Sequence, residues 1–181
     1  MKSLILTAIA LSLPCVSVSQ TLCRPGEKDY FSCRTTTSGK IVSVCGNIAS
    51  GRIDEDSWLQ YRFGKIGAIE LAYPAEMRGS IPKFEGNWFN RLNVVDLRFT
   101  NGKALYSVAL NETYGGAEAQ KRDRPSGGVH VNLGKTRVVN TFCQRVNARK
   151  YYGIFGDLNS SLRAYNGETD FLYRYYNSES K

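Results

Sequence analysis

Hydrophobic and polar residues alternate over short runs along most of this chain, and turn-forming residues separate the runs. In the run 92–100, for example, Leu97 and Phe99 alternate with Asp96 and Arg98. A period of two residues is typical of a β-strand with one buried face. Because no stretch of twelve or more residues keeps a helical period, the pattern predicts an all-β protein.

Turn signals join these runs into four predicted hairpins, and a long irregular segment is predicted on either side of the third one. The hairpins are formed by residues 30–36 with 40–45, 57–63 with 68–73, 92–100 with 103–110, and 129–133 with 136–142. The third hairpin turns at Asn101-Gly102, a strong signal because both central residues of a type I′ turn need a positive φ. The pattern also predicts irregular loops over 75–90 and 111–128, a helical turn over 161–165, and an aromatic strand over 170–176.

Consecutive hairpins of this kind predict the overall architecture. About eight to ten short antiparallel strands in one domain are typical of a β-sandwich or a partly closed barrel. We expect such a domain here, stabilised by disulfides.

The first nineteen residues differ from the rest of the chain. An uncharged apolar run, residues 4–18, follows Lys2 and ends at Ser17-Val18-Ser19, whose small residues are typical of a cleavage site. The run is short for a membrane span, and a buried N-terminal helix is the alternative. We therefore expect residues 1–19 to be a secretory signal peptide, and residues 20–181 to form a single periplasmic or secreted β domain.

Four cysteines follow the predicted signal peptide, and in an oxidising compartment they would form two disulfides. We expect Cys23–Cys33, which closes a short loop, and Cys45–Cys143, which joins an early strand to a late one. Cys33–Cys45 is the main alternative, because both residues lie on the first predicted hairpin. The spacings are not those of a zinc site, so no metal or other cofactor is expected.

The net charge is +8, and removal of Lys2 with the signal peptide would leave +7. The basic residues are spread along the chain, with one local cluster at 121–124. No basic helix or ribonucleoprotein motif accompanies them, so a nucleic-acid partner is not expected. A positive surface would instead attract acidic partners.

Catalytic motifs are missing from the sequence. His130 is the only histidine; it alternates with valines, which predicts a structural or solvated strand residue, and there is no Gly-x-Ser-x-Gly elbow. Nucleotide-binding, EF-hand and His-Glu-x-x-His patterns are also missing. The acidic run 54–56 fits a loop patch or a helix cap. We therefore expect no enzyme, although Glu70 and Asp96 are of the type that two carboxylates of a hydrolase would need.

Two resemblances add to this reading. The segments CRTTTSGKIVSVCG, WLQYRFG and AIELAYP, within residues 33–74, resemble a group of uncharacterised secreted proteins of Gram-negative bacteria. That resemblance implies no activity. Pro-Ser-Gly-Gly at 125–128 is similar to the Ser-Gly loop that periplasmic lysozyme inhibitors insert into the enzyme's cleft. The aromatic residue that usually follows this pair is missing, since Val129 and His130 stand there.

Together these features predict an exported binding protein that neutralises a partner protein, either a lysozyme-like hydrolase or a toxin. The Gly-rich basic loop 115–128 is the expected contact region. The predicted contact residues are Arg122, Arg124, Ser126, Gly127 and His130. One alternative is a basic cell-envelope protein that binds anionic lipid or polysaccharide. Another is a hydrolase that uses carboxylates such as Glu70 and Asp96.

Overall fold

The chain folds into two antiparallel β-sheets. A computed structural model describes residues 21–49, 53–89, 94–111, 126–134 and 138–144, with Val146, Gly153, Ile154 and Asp157. The strands are β1 Lys28–Arg34, β2 Ile41–Gly46, β3 Leu59–Lys65, β4 Ala68–Tyr73, β5 Glu85–Phe89, β6 Val94–Asn101, β7 Ala104–Asn111, β8 Ser126–Asn132 and β9 Val138–Phe142. Strands β1–β4 form one sheet and β5–β9 the other, each in chain order. A 3-10 turn, Ile81–Lys83, precedes β5.

This architecture confirms the predicted fold class, because the sheets pack as a sandwich and do not close into one barrel. All four predicted hairpins form, as β1–β2, β3–β4, β6–β7 and β8–β9. At the Asn-Gly turn between β6 and β7, Gly102 has a φ of 61°, as a type I′ turn requires. The strand predicted over 170–176 and the helical turn predicted over 161–165 lie outside the described residues.

Two predicted loops are partly strand. Residues 75–90 were expected to be irregular, but Glu85–Phe89 pairs with β6 along its whole length. Likewise, β8 begins at Ser126, so the last three residues of the predicted loop 111–128 belong to the sheet. Gly128 suits this position because a Cβ there would overlap the Thr141 carbonyl of β9. Both errors have one cause: pairing with a neighbouring strand outweighs the low strand propensity of glycine and asparagine.

Aromatic rings fill the space between the two sheets. Phe99 of β6 lies at the centre, stacked on Tyr73 of β4 at 4.5 Å between ring centroids and on Tyr106 of β7 at 4.8 Å. Tyr61 and Phe84 complete the cluster, at 5.0 and 5.6 Å from the same ring. Burial of large rings contributes much of the stability of a core, so these contacts hold the sheets face to face.

The disulfides are Cys23–Cys45 and Cys33–Cys143, so both expected pairs and the alternative pair were wrong. Cys33 pairs in register with Val42, which faces the core. Cys45 lies three residues after Val42 on β2, so its side chain points to the opposite face. Cys33 is therefore directed to Cys143 in the other sheet, whereas Cys45 meets Cys23 on the outer face.

The two sheets also meet through their backbones at one corner. Beside the disulfide of Cys143, the Thr36 N–H donates to the Phe142 carbonyl at 2.8 Å. The Gln144 N–H donates to the Arg34 carbonyl at 2.9 Å. The end of β1 thus continues along the last residues of β9, and this corner fixes how the sheets are joined.

Candidate functional site

A group of polar side chains lies on the face of the five-stranded sheet that points away from the core. The register places Arg98, Ser107, His130 and Asn140 side by side on β6, β7, β8 and β9. Asp96 lies two residues before Arg98 on the same face of β6. We call these five residues the polar cluster. The neighbouring positions on β6, β7 and β8 face the core, so strand alternation directs the cluster to the other face of the sheet.

Asp96 is the anchor of the polar cluster. Its side chain is 0 % exposed, and the Arg98 Nε donates to its Oδ2 at 2.8 Å. The Ser107 hydroxyl donates to the other carboxylate oxygen. A buried carboxylate is costly unless it is paired and hydrogen-bonded. These two donors therefore satisfy both oxygens of the Asp96 side chain inside the fold.

His130 is buried in the same cluster, with 5 % of its surface exposed. Its Nδ1 lies 2.8 Å from Oδ1 of Asn140. An amide oxygen only accepts, so Nδ1 carries the hydrogen in this pair. Burial lowers the pKa of His130 below its ordinary value, and it outweighs the hydrogen bond to Asn140 and the charge of Asp96, which act the other way. The imidazole is therefore neutral at neutral pH.

Ser107, His130 and Asp96 are the residue types of a nucleophilic triad, but their hydrogen bonds differ from one. A triad needs the serine hydroxyl to donate to the histidine. A hydroxyl has one hydrogen, and Ser107 donates it to Asp96. These contacts match a structural network that orients strands β6–β9.

The carboxylates considered for a hydrolase are not brought together. Glu70 lies on β4 and binds Lys40 at 2.6 Å. Asp96 lies on β6 of the five-stranded sheet, on the face that points away from the core. The core therefore separates Glu70 from Asp96, and the two do not line one cleft.

The acidic run 54–56 forms a turn before β3. Asp54 accepts hydrogen bonds from the Ser57 hydroxyl and from the Asp56 N–H. Arg78 binds the other two acids of the run, at 3.4 Å from Glu55 and 3.1 Å from Asp56. Arg78, Glu55 and Asp56 are all exposed, so this group is a solvated loop patch. A loop patch was one of the two interpretations of the acidic run; a helix cap was the other.

The predicted contact residues fall into two groups. Arg122 and Arg124 lie outside the described residues. Ser126 and Gly127 are the first residues of β8, and His130 is buried further along the same strand. The structure thus places three of the five on one strand.

Sequence reasoning missed three residues of the polar cluster, namely Arg98, Ser107 and Asn140. A signal for two of them was available. The Asn101-Gly102 turn sets the β6–β7 register, which puts Arg98 opposite Ser107. Asn140 could not be placed as easily, because the turn between β8 and β9 has no comparable signal.

The outer face of the four-stranded sheet holds a second buried network. Arg62 on β3 is 1 % exposed and binds both carboxylate oxygens of Glu27, at 2.6 and 3.0 Å. It also donates to the Leu22 carbonyl at 2.9 Å and to the Gln60 side chain at 2.7 Å. Burial alone would raise the pKa of Glu27, but hydrogen bonds from Arg62 and from the Arg24 backbone hold it below its ordinary value.

The segment that supplies Glu27 is residues 21–27, which we call the N-terminal arm. It crosses the outer face of the four-stranded sheet, where the Leu22 N–H donates to the Ser43 hydroxyl at 2.9 Å. The arm is bonded covalently to β2 by Cys23–Cys45. This arm therefore covers the part of the outer face that is formed by β2 and β3.

One group of potential metal ligands lies in the described part of the chain: Cys23, Glu27 and Cys45. The two sulfurs are joined as a disulfide and cannot act as thiolates. Glu27 is bound by Arg62. The donor chemistry of this group therefore does not fit a metal ion.

The net charge of the described residues differs from that of the rest of the chain. The described residues hold ten basic and ten acidic residues, so the sheets and their described turns are neutral. The positive excess of the chain lies in the remaining residues. Between residues 121 and 150 the sequence holds one acid, Asp123, and eight basic residues: Lys121, Arg122, Arg124, Lys135, Arg137, Arg145, Arg149 and Lys150. Along the sequence, the positive excess is therefore concentrated in the segments that precede, separate and follow β8 and β9.

No helix in the described part of the chain is long and apolar enough to cross a membrane. The resemblances to secreted Gram-negative proteins and to lysozyme inhibitors stay predictions. Comparison with protein-family models, with curated proteins and with solved structures finds no match to this chain.

Proposed function

We propose that this chain is an exported binding protein that captures and neutralises a partner protein with an acidic surface. A lysozyme-like hydrolase and a toxin are the two partner classes that we favour. The observation that carries the proposal is the division of charge between the described residues, which are neutral, and the basic sequence segments that precede, separate and follow β8 and β9. Charge concentrated in this way speeds encounter with an oppositely charged partner and selects against basic ones.

The connection between β7 and β8 supports the same function. Asn111 and Ser126 are paired in register, so the fourteen residues 112–125 start and end at adjacent positions of a rigid sheet. Connections of this length are uncommon in a compact domain, and binding loops are one of the classes in which they occur. Arg122 and Arg124 lie in this connection, and Ser126 and Gly127 adjoin it. We assign these four residues to the contact and the buried His130 to the support of β8.

Export is consistent with the cysteine chemistry. Both disulfides join distant parts of the fold, and such bonds persist in oxidising compartments. The predicted signal peptide, residues 1–19, ends just before the N-terminal arm. A periplasmic or secreted location follows as part of the proposal.

The test removes the connection and keeps the hairpin. Because Asn111 and Ser126 face each other, an Asn-Gly turn can replace residues 112–125 without changing the register. A second variant replaces the same residues with fourteen glycines and serines, which keeps the length and removes the chemistry. Each protein is immobilised and exposed to cell-envelope extract, and retained proteins are identified by mass spectrometry and measured by calorimetry.

We expect the wild-type protein to retain a defined acidic partner, and both variants to lose it while keeping their melting temperature and disulfides. If both variants retain the partner as well as the wild-type protein does, residues 112–125 are not part of the binding site. Retention of lipid or polysaccharide in place of protein, lost steeply between low and physiological salt, would instead support an envelope-binding function.

A further inference from the structure

Strand β9 is an edge of the five-stranded sheet with little of the usual protection. The four edge strands of the described sheets are β1, β4, β5 and β9. The first three carry charged residues, whereas β9, with the sequence Val-Val-Asn-Thr-Phe, has neither a charge nor a proline. Natural proteins normally use such residues to keep other strands from adding to an edge. The sequence of β9 therefore leaves it suited to accept a strand.

The hydrogen-bond directions show which backbone groups lie at this edge. The Cys143 N–H donates to the Gly127 carbonyl of β8 at 2.9 Å, while the Phe142 carbonyl points the other way and accepts from Thr36. Backbone groups of successive residues in a strand point to opposite sides, so those of Asn140 point to the same side as those of Phe142. Within the described sheets, no strand pairs with that side of residues 138–141.

The side chains around this edge are accessible. Asn140 is exposed, Val139 is 39 % exposed, and Thr141 is half-buried. Leu133, at the turn that leads to β9, is 41 % exposed. An added strand would therefore find apolar contact on one face of the sheet and polar contact on the other.

The charge around β9 defines the chemistry of its partner. Along the chain, Arg124, Lys135, Arg137 and Arg145 each lie within three residues of an end of β8 or β9. The two strands themselves contain no acidic residue, and Asp123 is the one acid of the sequence within three residues of their ends. Carboxylates would be attracted to this region, and cationic segments would be repelled.

We propose that the β9 edge binds an extended acidic segment of the partner protein as an additional strand. This inference rests on the proposed function and names the surface and the partner chemistry. Backbone hydrogen bonds at Asn140 would provide affinity, and glutamate or aspartate side chains would provide specificity. An anionic polysaccharide or lipid has no peptide backbone and could use only the charge.

The test compares two substitutions at Asn140. Asn140→Ala keeps the outward N–H and loses the side-chain contact with His130, whereas Asn140→Pro loses both. Proline is tolerated on an edge when its nitrogen faces away from the neighbouring strand, so β8 pairing is preserved. The probe is a fluorescein-labelled peptide of ten residues that alternates glutamate with threonine or valine, measured by fluorescence anisotropy. The control peptide has lysine in place of glutamate.

We expect the acidic peptide to bind the wild-type protein and Asn140→Ala with similar affinity. Its affinity for Asn140→Pro should be lower by a factor of about ten, or by more. The lysine peptide should not bind. Equal binding to the proline and alanine variants would overturn the proposal, as would equal binding of both peptides. Dextran sulfate or anionic vesicles that displace the peptide from all three proteins equally would identify a charge-only site and also overturn it.

A second measurement does not depend on the proline variant. Amide hydrogen exchange at Asn140 in the wild-type protein should slow when the acidic peptide is added, and unchanged exchange would contradict strand addition. A partner protein retained equally by the wild type and by Asn140→Pro would leave the proposed function in place and exclude the β9 edge from it.

Discussion

The outer faces of the two sheets each bury an arginine–carboxylate pair, but the pairs are built differently. Arg62 binds Glu27 through two nitrogens, and the partners are 35 residues apart. Arg98 binds Asp96 through Nε, and these partners are two residues apart on one strand. The first pair therefore depends on the tertiary fold, whereas the second can form wherever β6 is extended.

This difference assigns the two faces different roles. The Arg62–Glu27 pair, with the Cys23–Cys45 disulfide, holds the N-terminal arm on the four-stranded sheet over β2 and β3. The Asp96–Arg98 pair neutralises a charge locally and ties no other segment of the described chain to β6 through that contact. The four-stranded sheet is thus the structural half of the sandwich, and the five-stranded sheet carries the surface that we assign to binding.

Removal of each disulfide should produce the largest change in the free energy of unfolding, and it tests the division between the two sheets. Loop entropy predicts a loss of about 5 kcal/mol in the free energy of unfolding for Cys33→Ala/Cys143→Ala, which opens a separation of 110 residues. Cys23→Ala/Cys45→Ala opens a separation of 22 residues and should cost about 3 kcal/mol. Urea unfolding of both variants measures the difference. A larger loss for the arm disulfide would contradict the view that the corner between the sheets is the main covalent constraint.

The ion pairs provide the next largest effect. Arg62→Met leaves the partly buried Glu27 carboxylate without its ion-pair partner, and should cost about 3 kcal/mol in unfolding free energy. The double variant Arg62→Met/Glu27→Met removes both charges and should recover most of that loss. Arg98→Met should cost less than Arg62→Met, because Ser107 still donates to Asp96. Denaturant unfolding of the wild-type protein and the three variants measures these free energies. An equal loss for Arg62→Met and Arg98→Met would contradict the proposed difference between the two outer faces.

The smallest expected effect is on the pH dependence of stability, which should differ between His130 on one outer face and Glu27 on the other. His130 has a lowered pKa, so below its ordinary value of 6.5 the unfolded chain binds a proton before the folded protein does. Stability should therefore fall as the pH drops below 6.5, and His130→Gln should remove that slope. Glu27 also has a lowered pKa, but its contribution is lost only below its ordinary value of 4.5. A slope between pH 6.5 and 4.5 that survives in His130→Gln would show that another group is responsible.

Local sequence rules predicted those parts of the fold that depend on local chemistry. Alternation and the Asn101-Gly102 turn were sufficient for β6 and β7, including the outward direction of Asp96. They failed at β5, where Glu85–Phe89 includes a glycine and an asparagine and becomes a strand only through its pairing with β6. The failure has a physical reason, because strand propensity reflects contacts with neighbours more than an intrinsic backbone preference.

The candidate site shows the same limit. The position of His130 in a strand could be predicted, but its contact with Asn140 depends on the β8–β9 register. The Arg62–Glu27 pair could not be predicted at all, since it requires the N-terminal arm to cross the sheet. The disulfides were mispredicted because loop length was considered without strand parity, which directs Cys33 and Cys45 to opposite faces.

The connectivity of the disulfides has a consequence for biosynthesis. Among the four cysteines of the described residues, the first pairs with the third and the second with the fourth, so the two closed loops overlap. In the export that we propose, the N-terminus enters the oxidising compartment first, so Cys23 and Cys33 are exposed to oxidation before Cys45. Any bond formed between these first two thiols must then be exchanged through a mixed disulfide before the native pairs can form. Attack of the Cys45 thiolate on that bond would form Cys23–Cys45 and release the Cys33 thiol for pairing with Cys143, so maturation would include a thiol–disulfide exchange step.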